Sequence, residues 1–157
     1  VFTGRLNIGE ASGIPVIKHL LGKIPSGGER PVFIDCPPGS ACAVMESIKD
    51  ADFCVLVAEP TVFGAHNLAM VYELVTLFRK PFGAVLNKCQ EGENLSEAFC
   101  LEHQGPILGR MPFDPELGAL SSEGNIAARE NLRYRELFGS LLERIGKEAQ
   151  HEAASDS

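Results

Sequence analysis

Residues 32–47 read V-F-I-D-C-P-P-G-S-A-C-A-V-M-E-S. An apolar run ends in Asp35, a Pro-Pro-Gly turn comes next, and Ala41, Val44, Met45 and Ile48 recur at helical spacing. The order is strand, turn, helix, and an α/β sheet binds its ligands beyond the carboxyl ends of its strands. Four further apolar runs, at residues 5–8, 53–57, 82–86 and 107–111, also read as strands. Most are continuous rather than alternating, the pattern of parallel strands buried on both faces. Helical patterns separate them. One covers residues 14–23, with Pro15 in its first turn. A second carries the stripe Leu68, Val71, Tyr72, Val75 and Phe78. Asn94-Leu95-Ser96-Glu97 has the form of a capping box, and Tyr134, Leu137, Phe138, Leu141 and Ile145 mark a last helix. This alternation predicts an α/β fold with an open, doubly wound, mainly parallel sheet and helices on both faces. Residues 1–149 are expected to form a single domain, and the small polar residues 150–157 a disordered tail.

Composition narrows the function. The 157 residues are 45% hydrophobic and 22% charged, and no apolar run approaches the roughly 18 residues of a membrane span. A net charge of −7 and the absence of tryptophan argue against a nucleic-acid partner. The five cysteines are odd in number and lack C-x-x-C spacing, which argues against a disulfide framework and suits a reducing cytoplasm. Cys36 and Cys42, at C-x5-C spacing, leave metal binding there open.

Three features fall at strand ends. Asp35 has the position of a carboxylate that organises Mg²⁺ with bound phosphates, or alternatively of a helix cap. Gly39 lets the backbone approach a ligand closely. Asn87-Lys88 ends another apolar run, where an asparagine amide can pair with a purine edge, or where a strand simply turns. Pro112-Phe113-Asp114-Pro115 stiffens the loop after the last run, with Asp114 as a helix cap. Three such features on one rim suggest a nucleotide site. His66 reads as a residue near a helix start, and His19, His103 and His151 have no sequence neighbour to act with.

Asp35-Cys36-Pro37-Pro38-Gly39, Cys42, the segment from Ala58 to Gly64, Asn87-Lys88 and the segment from Pro112 to Glu116 occur in an order that resembles the MinD/ParA-type P-loop ATPases. They resemble in particular the subgroup with an inserted ferredoxin-like segment holding iron–sulfur clusters. Residues 4–13 are similar to the point where that subgroup's chain resumes after the insert. The resemblance implies that Asp35 helps hold Mg²⁺ and is the catalytic carboxylate of the site, and that Gly39 senses the γ-phosphate. It implies that Asn87, with Lys88 beside it, contacts adenine and that Pro112 and Phe113 close over the base. The segment from Glu59 to Gly64 would lie near the nucleotide and a dimer face.

The sequence departs from the family in one respect that matters. It contains no G-x-x-x-x-G-K-[ST], and Gly27-Gly28-Glu29-Arg30 lacks that spacing. The cluster-binding cysteines are missing too. The expectation is therefore the C-terminal part of such an ATPase, weak or inactive in ATP hydrolysis by itself, binding ATP and Mg²⁺ weakly or not at all and holding no iron–sulfur cluster. The rival expectation is a non-enzymatic dimerisation or partner-binding module. In either case a homo-oligomer is expected, or a separate chain supplying the phosphate-binding half.

Overall fold

The structure, a computed structural model, describes residues 1–25, 31–40 and 42–155. Residues 27–30, with their two glycines, and Ala41 lie outside the described residues. The chain falls into two compact units, Val1–Ala51 and Asp52–Ser157.

The first unit holds α1 (Ile14–Leu21) and α2 (Cys42–Ile48), which pack on each other. Pro15 sits in the first turn of α1, and the Ile14 N–H donates to Ser12 Oγ at 3.2 Å. Val44, Ser47 and Ile48 form the buried side of α2. Two of the expected strands are absent here. Residues 5–8 and 32–36 are extended or turning chain without a ladder, and Val32 and Phe33 are exposed. The physical reason is relational: an apolar run becomes a strand only when a neighbour takes up its N–H and C=O groups, and no described segment does so here.

The second unit contains β1 (Cys54–Ala58), α3 (Val62–Leu77), β2 (Phe82–Cys89), α4 (Leu95–Glu102) and β3 (Ile107–Pro112). It continues through α5 (Pro115–Ser122), α6 (Ala127–Glu130) and α7 (Leu132–Ser155). The sheet is three-stranded and wholly parallel, in the order β1-β2-β3. The expected parallel α/β architecture is thus present with three strands rather than five. Helix α7 lays Leu137, Leu141 and Ile145 against Val85, Leu108 and Met111. Ala84 and Leu86, on the opposite pleats of β2, are also buried, and α3 and α4 contact β1, β2 and each other. At β1 burial alternates strictly, with one face left exposed. Val55 and Val57 are exposed while Cys54, Leu56 and Ala58 are buried. Helix α7 runs to Ser155, past residue 150, the expected start of a disordered tail. No helix among the described residues is long and apolar enough to cross a membrane.

Helices α3 and α4 end alike. The Arg79 N–H donates to the Thr76 carbonyl and the Lys80 N–H to that of Val75. In α4 the Gln104 N–H reaches Leu101 and the Gly105 N–H reaches Cys100. This paired closure needs a left-handed residue, usually glycine. Here the positions are held by Arg79 at φ 50° and Gln104 at φ 53°. A side chain in that region costs about 1 kcal/mol. Arg79→Gly is therefore expected to stabilise the protein by about 1 kcal/mol, read as a higher urea midpoint at unchanged slope.

Candidate functional site

The carboxyl ends of all three strands converge on one cleft of about 230 Å³. Glu59, Pro60 and Thr61 line it from the end of β1, Lys88, Gln90, Glu91 and Glu93 from the end of β2, and Phe113 from the end of β3. Local structure holds each wall.

On the β1 side the chain folds back tightly into α3. Thr61 caps the helix, its Oγ1 accepting the Gly64 N–H at 2.9 Å. Gly64 then lies hard against Glu59: a Cβ there would stand 2.1 Å from the Glu59 carbonyl oxygen. Fully buried Ser96, in the first turn of α4, donates its hydroxyl to that same oxygen at 2.6 Å. The backbone of Glu59 is thus clamped from two directions, and its carboxylate reaches Lys88 Nζ at 2.7 Å. Both side chains are about half exposed, so this pair orients the two groups more than it stabilises the fold.

On the β2 side the ladder slips. Leu86 pairs with Arg110 but Cys89 pairs with Pro112, so β2 carries one extra residue and bulges at Asn87-Lys88. Lys88 takes φ 56°, and its N–H donates to Asn87 Oδ1 at 3.0 Å. Asn87 Nδ2 has no protein partner among the described residues, so it is free to donate to a ligand. The bulge turns Lys88 into the cleft. Burial pushes the Cys89 thiol up, so it is held protonated beside the bulge.

On the β3 side the Phe113 N–H donates to the Cys89 carbonyl at 2.9 Å, tying the loop to β2. Asp114 anchors the entry into α5. Its Oδ1 accepts the N–H groups of Glu116 and Leu117, capping that helix. Its Oδ2 accepts Arg133 Nη2 and the hydroxyl of fully buried Tyr134, each at 3.0 Å. The Leu117 N–H, with Tyr134 and Arg133, holds the Asp114 carboxyl below its ordinary range. Burial and Asp114 push the Tyr134 phenol up to about 12.

This linkage gives stability two pH arms. The Asp114 contribution is complete above the unfolded value of roughly 4 and is lost as pH falls through the lower folded value. Tyr134 is favoured protonated, so its contribution is complete below the unfolded value of roughly 10 and is lost as pH rises toward about 12. Urea unfolding across pH is expected to show the acid arm flattened in Asp114→Asn and the alkaline arm flattened in Tyr134→Phe. An unchanged profile in both variants would refute this linkage.

The sequence-derived candidates divide between the two units. Lys88 and Phe113 line the cleft, and Asn87 and Pro112 adjoin them in the chain. Asp35 and Gly39 belong to the first unit. Asp35 is exposed on chain outside any strand, and Gly39 takes φ 94°, a turn conformation that favours glycine. No group of three metal-ligating side chains occurs among the described residues. Asn94 and Asp114 cap helices as expected. His66 lies within the first half of α3, and His103 stacks on Phe99. Sequence reading missed Ser96, whose partner lies 37 residues away, and the Glu59–Lys88 pair. Gly64 itself was visible only as a poor helix former inside an apolar helical pattern.

No family model matches the chain. The uncharacterized protein MJ0578 of Methanocaldococcus jannaschii is 24% identical over 142 residues, which cover 90% of this chain and 49% of that protein. The chain therefore spans about half the length of the curated relative it matches. Among solved structures it is similar to the MinD cell division protein of Aquifex aeolicus, with a TM-score of 0.61 at 19% identity. That match covers 91% of this chain and 59% of the other. The likeness establishes a MinD-like α/β fold.

Proposed function

We propose that this chain carries the base-binding rim of a nucleotide site in a MinD/ParA-like, iron–sulfur-associated ATP-binding protein. The observation that supports it is the cleft itself: Lys88 on a bulge, Phe113 on the β3 loop and the clamped segment from Glu59 to Thr61 meet where parallel sheets take ligands. Phe113 offers an aromatic face and Asn87 an amide, which suits a purine.

The donor set does not suit a triphosphate. Among the described residues Glu59, Glu91 and Glu93 line the cleft against one cation, Lys88. A Gly-rich lysine loop, which would neutralise phosphates, is missing from the sequence. In this reading Asp35 and Gly39 belong with the phosphates and Mg²⁺, and Asn87, Lys88, Pro112 and Phe113 with the base. No hydrolytic step is assigned to the chain alone.

Titration calorimetry with adenosine and with Mg²⁺-ATP tests this. Adenosine is expected to bind at least as well as Mg²⁺-ATP, and Asn87→Ala to weaken it by roughly tenfold, the worth of about one good hydrogen bond. Failure of adenosine to bind, or equal binding to the variant, sinks the assignment. A second reading, a homo-oligomeric or partner-binding module, draws on β1, the outer strand of the sheet among the described residues, where Val57 is 64% and neighbouring Phe63 79% exposed. Concentration-independent monomer mass by light scattering would count against it.

A further inference from the structure

At the opposite end of the sheet, before β2 and β3 begin, lies a second cleft of about 350 Å³. Tyr72, Arg79, Lys80, Phe82, His103 and Gln104 line it, with Glu152 of α7 contributing a carboxylate. Its floor is aromatic. Tyr72 meets Phe82, Phe99 and His103 edge-on, at centroid distances of 5.5, 5.5 and 5.0 Å.

Two observations make this more than a groove. First, the Tyr72 hydroxyl, the Arg79 guanidinium, the Lys80 ammonium and the Gln104 amide have no side-chain hydrogen bond or ion pair among the described residues. Four residues with uncommitted donors therefore line one cavity, two of them cationic against the one carboxylate of Glu152, in a chain whose net charge is −7. Second, Arg79 and Gln104 occupy the left-handed closing positions of α3 and α4, where glycine is the cheaper residue. The geometry brings both strained positions to the same cleft, and strain of this kind concentrates at ligand sites.

We infer that this cleft binds a small organic phosphate monoester. The phosphate takes the Arg79 and Lys80 charges with the Gln104 amide, and its organic part lies on Tyr72 and Phe82. A tetrahedral dianion presents three terminal oxygens to this donor surplus, where a carboxylate presents two. The His103 ring is already committed to the floor, its Nδ1 2.9 Å from the Phe99 carbonyl. The inference is independent of the rim described above, which lies at the other end of the strands.

The test is an NMR titration of the whole chain with phenyl phosphate, with inorganic phosphate and benzoate in parallel. Phenyl phosphate is expected to shift the amides around residues 79–82 and 103–105 and to bind more tightly than either comparator. Arg79→Gly is expected to weaken it by about tenfold or more, the loss of a charge-assisted contact, while raising the melting temperature. That opposite movement separates a binding role from a structural one. Three results would each overturn the assignment: no shifts at these amides, benzoate binding as tightly, or Arg79→Gly binding unchanged.

Discussion

Gly64→Ala is expected to destabilise the protein by about 3 kcal/mol, the upper end for overpacking, because the new methyl has nowhere to go. The nearest atom is backbone: the Glu59 carbonyl oxygen, 2.1 Å from the added Cβ. A flexible side chain could swing aside, but this oxygen is fixed by the Pro60-Thr61 turn and by the Thr61 cap on Gly64 itself. Relief requires the start of α3 and the end of β1 to part. That also displaces the Glu59 carboxylate from Lys88, so under the function proposed above adenosine binding should fall together with stability. Urea unfolding reads the first effect and calorimetry the second. A variant with wild-type stability would show that the turn yields freely.

Ser96→Ala is expected to cost about 1–2 kcal/mol, since it strips the part-buried Glu59 carbonyl of its donor. The hydroxyl is fully buried and its bond to Glu59 spans 2.6 Å. Both substitutions act on one oxygen, so their costs should not add. Once the methyl of Gly64→Ala has pushed the carbonyl away, removing the Ser96 hydroxyl takes little more. A double-mutant cycle is expected to return a coupling of roughly 1 kcal/mol or more. Simple additivity would mean that the two contacts hold separate parts of the chain.

Short-range features were legible in the sequence. Asn94 and Asp114 were readable as caps because a cap and its N–H partners lie within three residues. The strands read at residues 53–57, 82–86 and 107–111 are present at 54–58, 82–89 and 107–112, because continuous apolar runs between helices have few other uses. Residues 32–36 have the same character and form no strand, since local pattern says nothing about whether a neighbour is present. The reciprocal arm of the Asn94 capping box failed for a related reason: Glu97 turns its carboxylate to Arg110, 13 residues away. Two of the three strand ends read from the sequence, at Asn87-Lys88 and Pro112-Phe113, border the cleft; the third, at Asp35, lies outside any strand, and the β1 wall is made by Glu59 to Thr61. What assembles the cleft, the bulge at Asn87-Lys88 and the clamp on Glu59, depends on register and on a contact across 37 residues. Arg79 and Gln104 were illegible altogether, because sequence rules look for glycine where these helices close.

The spatial order of β1, β2 and β3 is also the order in which a ribosome would make them. Each new strand can add to one growing edge without rearranging the last, and α3 and α4 arrive with their strands to cover one face. The other face must wait. Val85, Leu108 and Met111 have been synthesised well before Leu137, Leu141 and Ile145 emerge to cover them. Until α7 docks, a sheet formed by these strands keeps a bare apolar side, its most aggregation-prone condition. A chaperone acting on this protein would have its window between the exit of Met111 from the ribosome and the docking of α7 on the sheet.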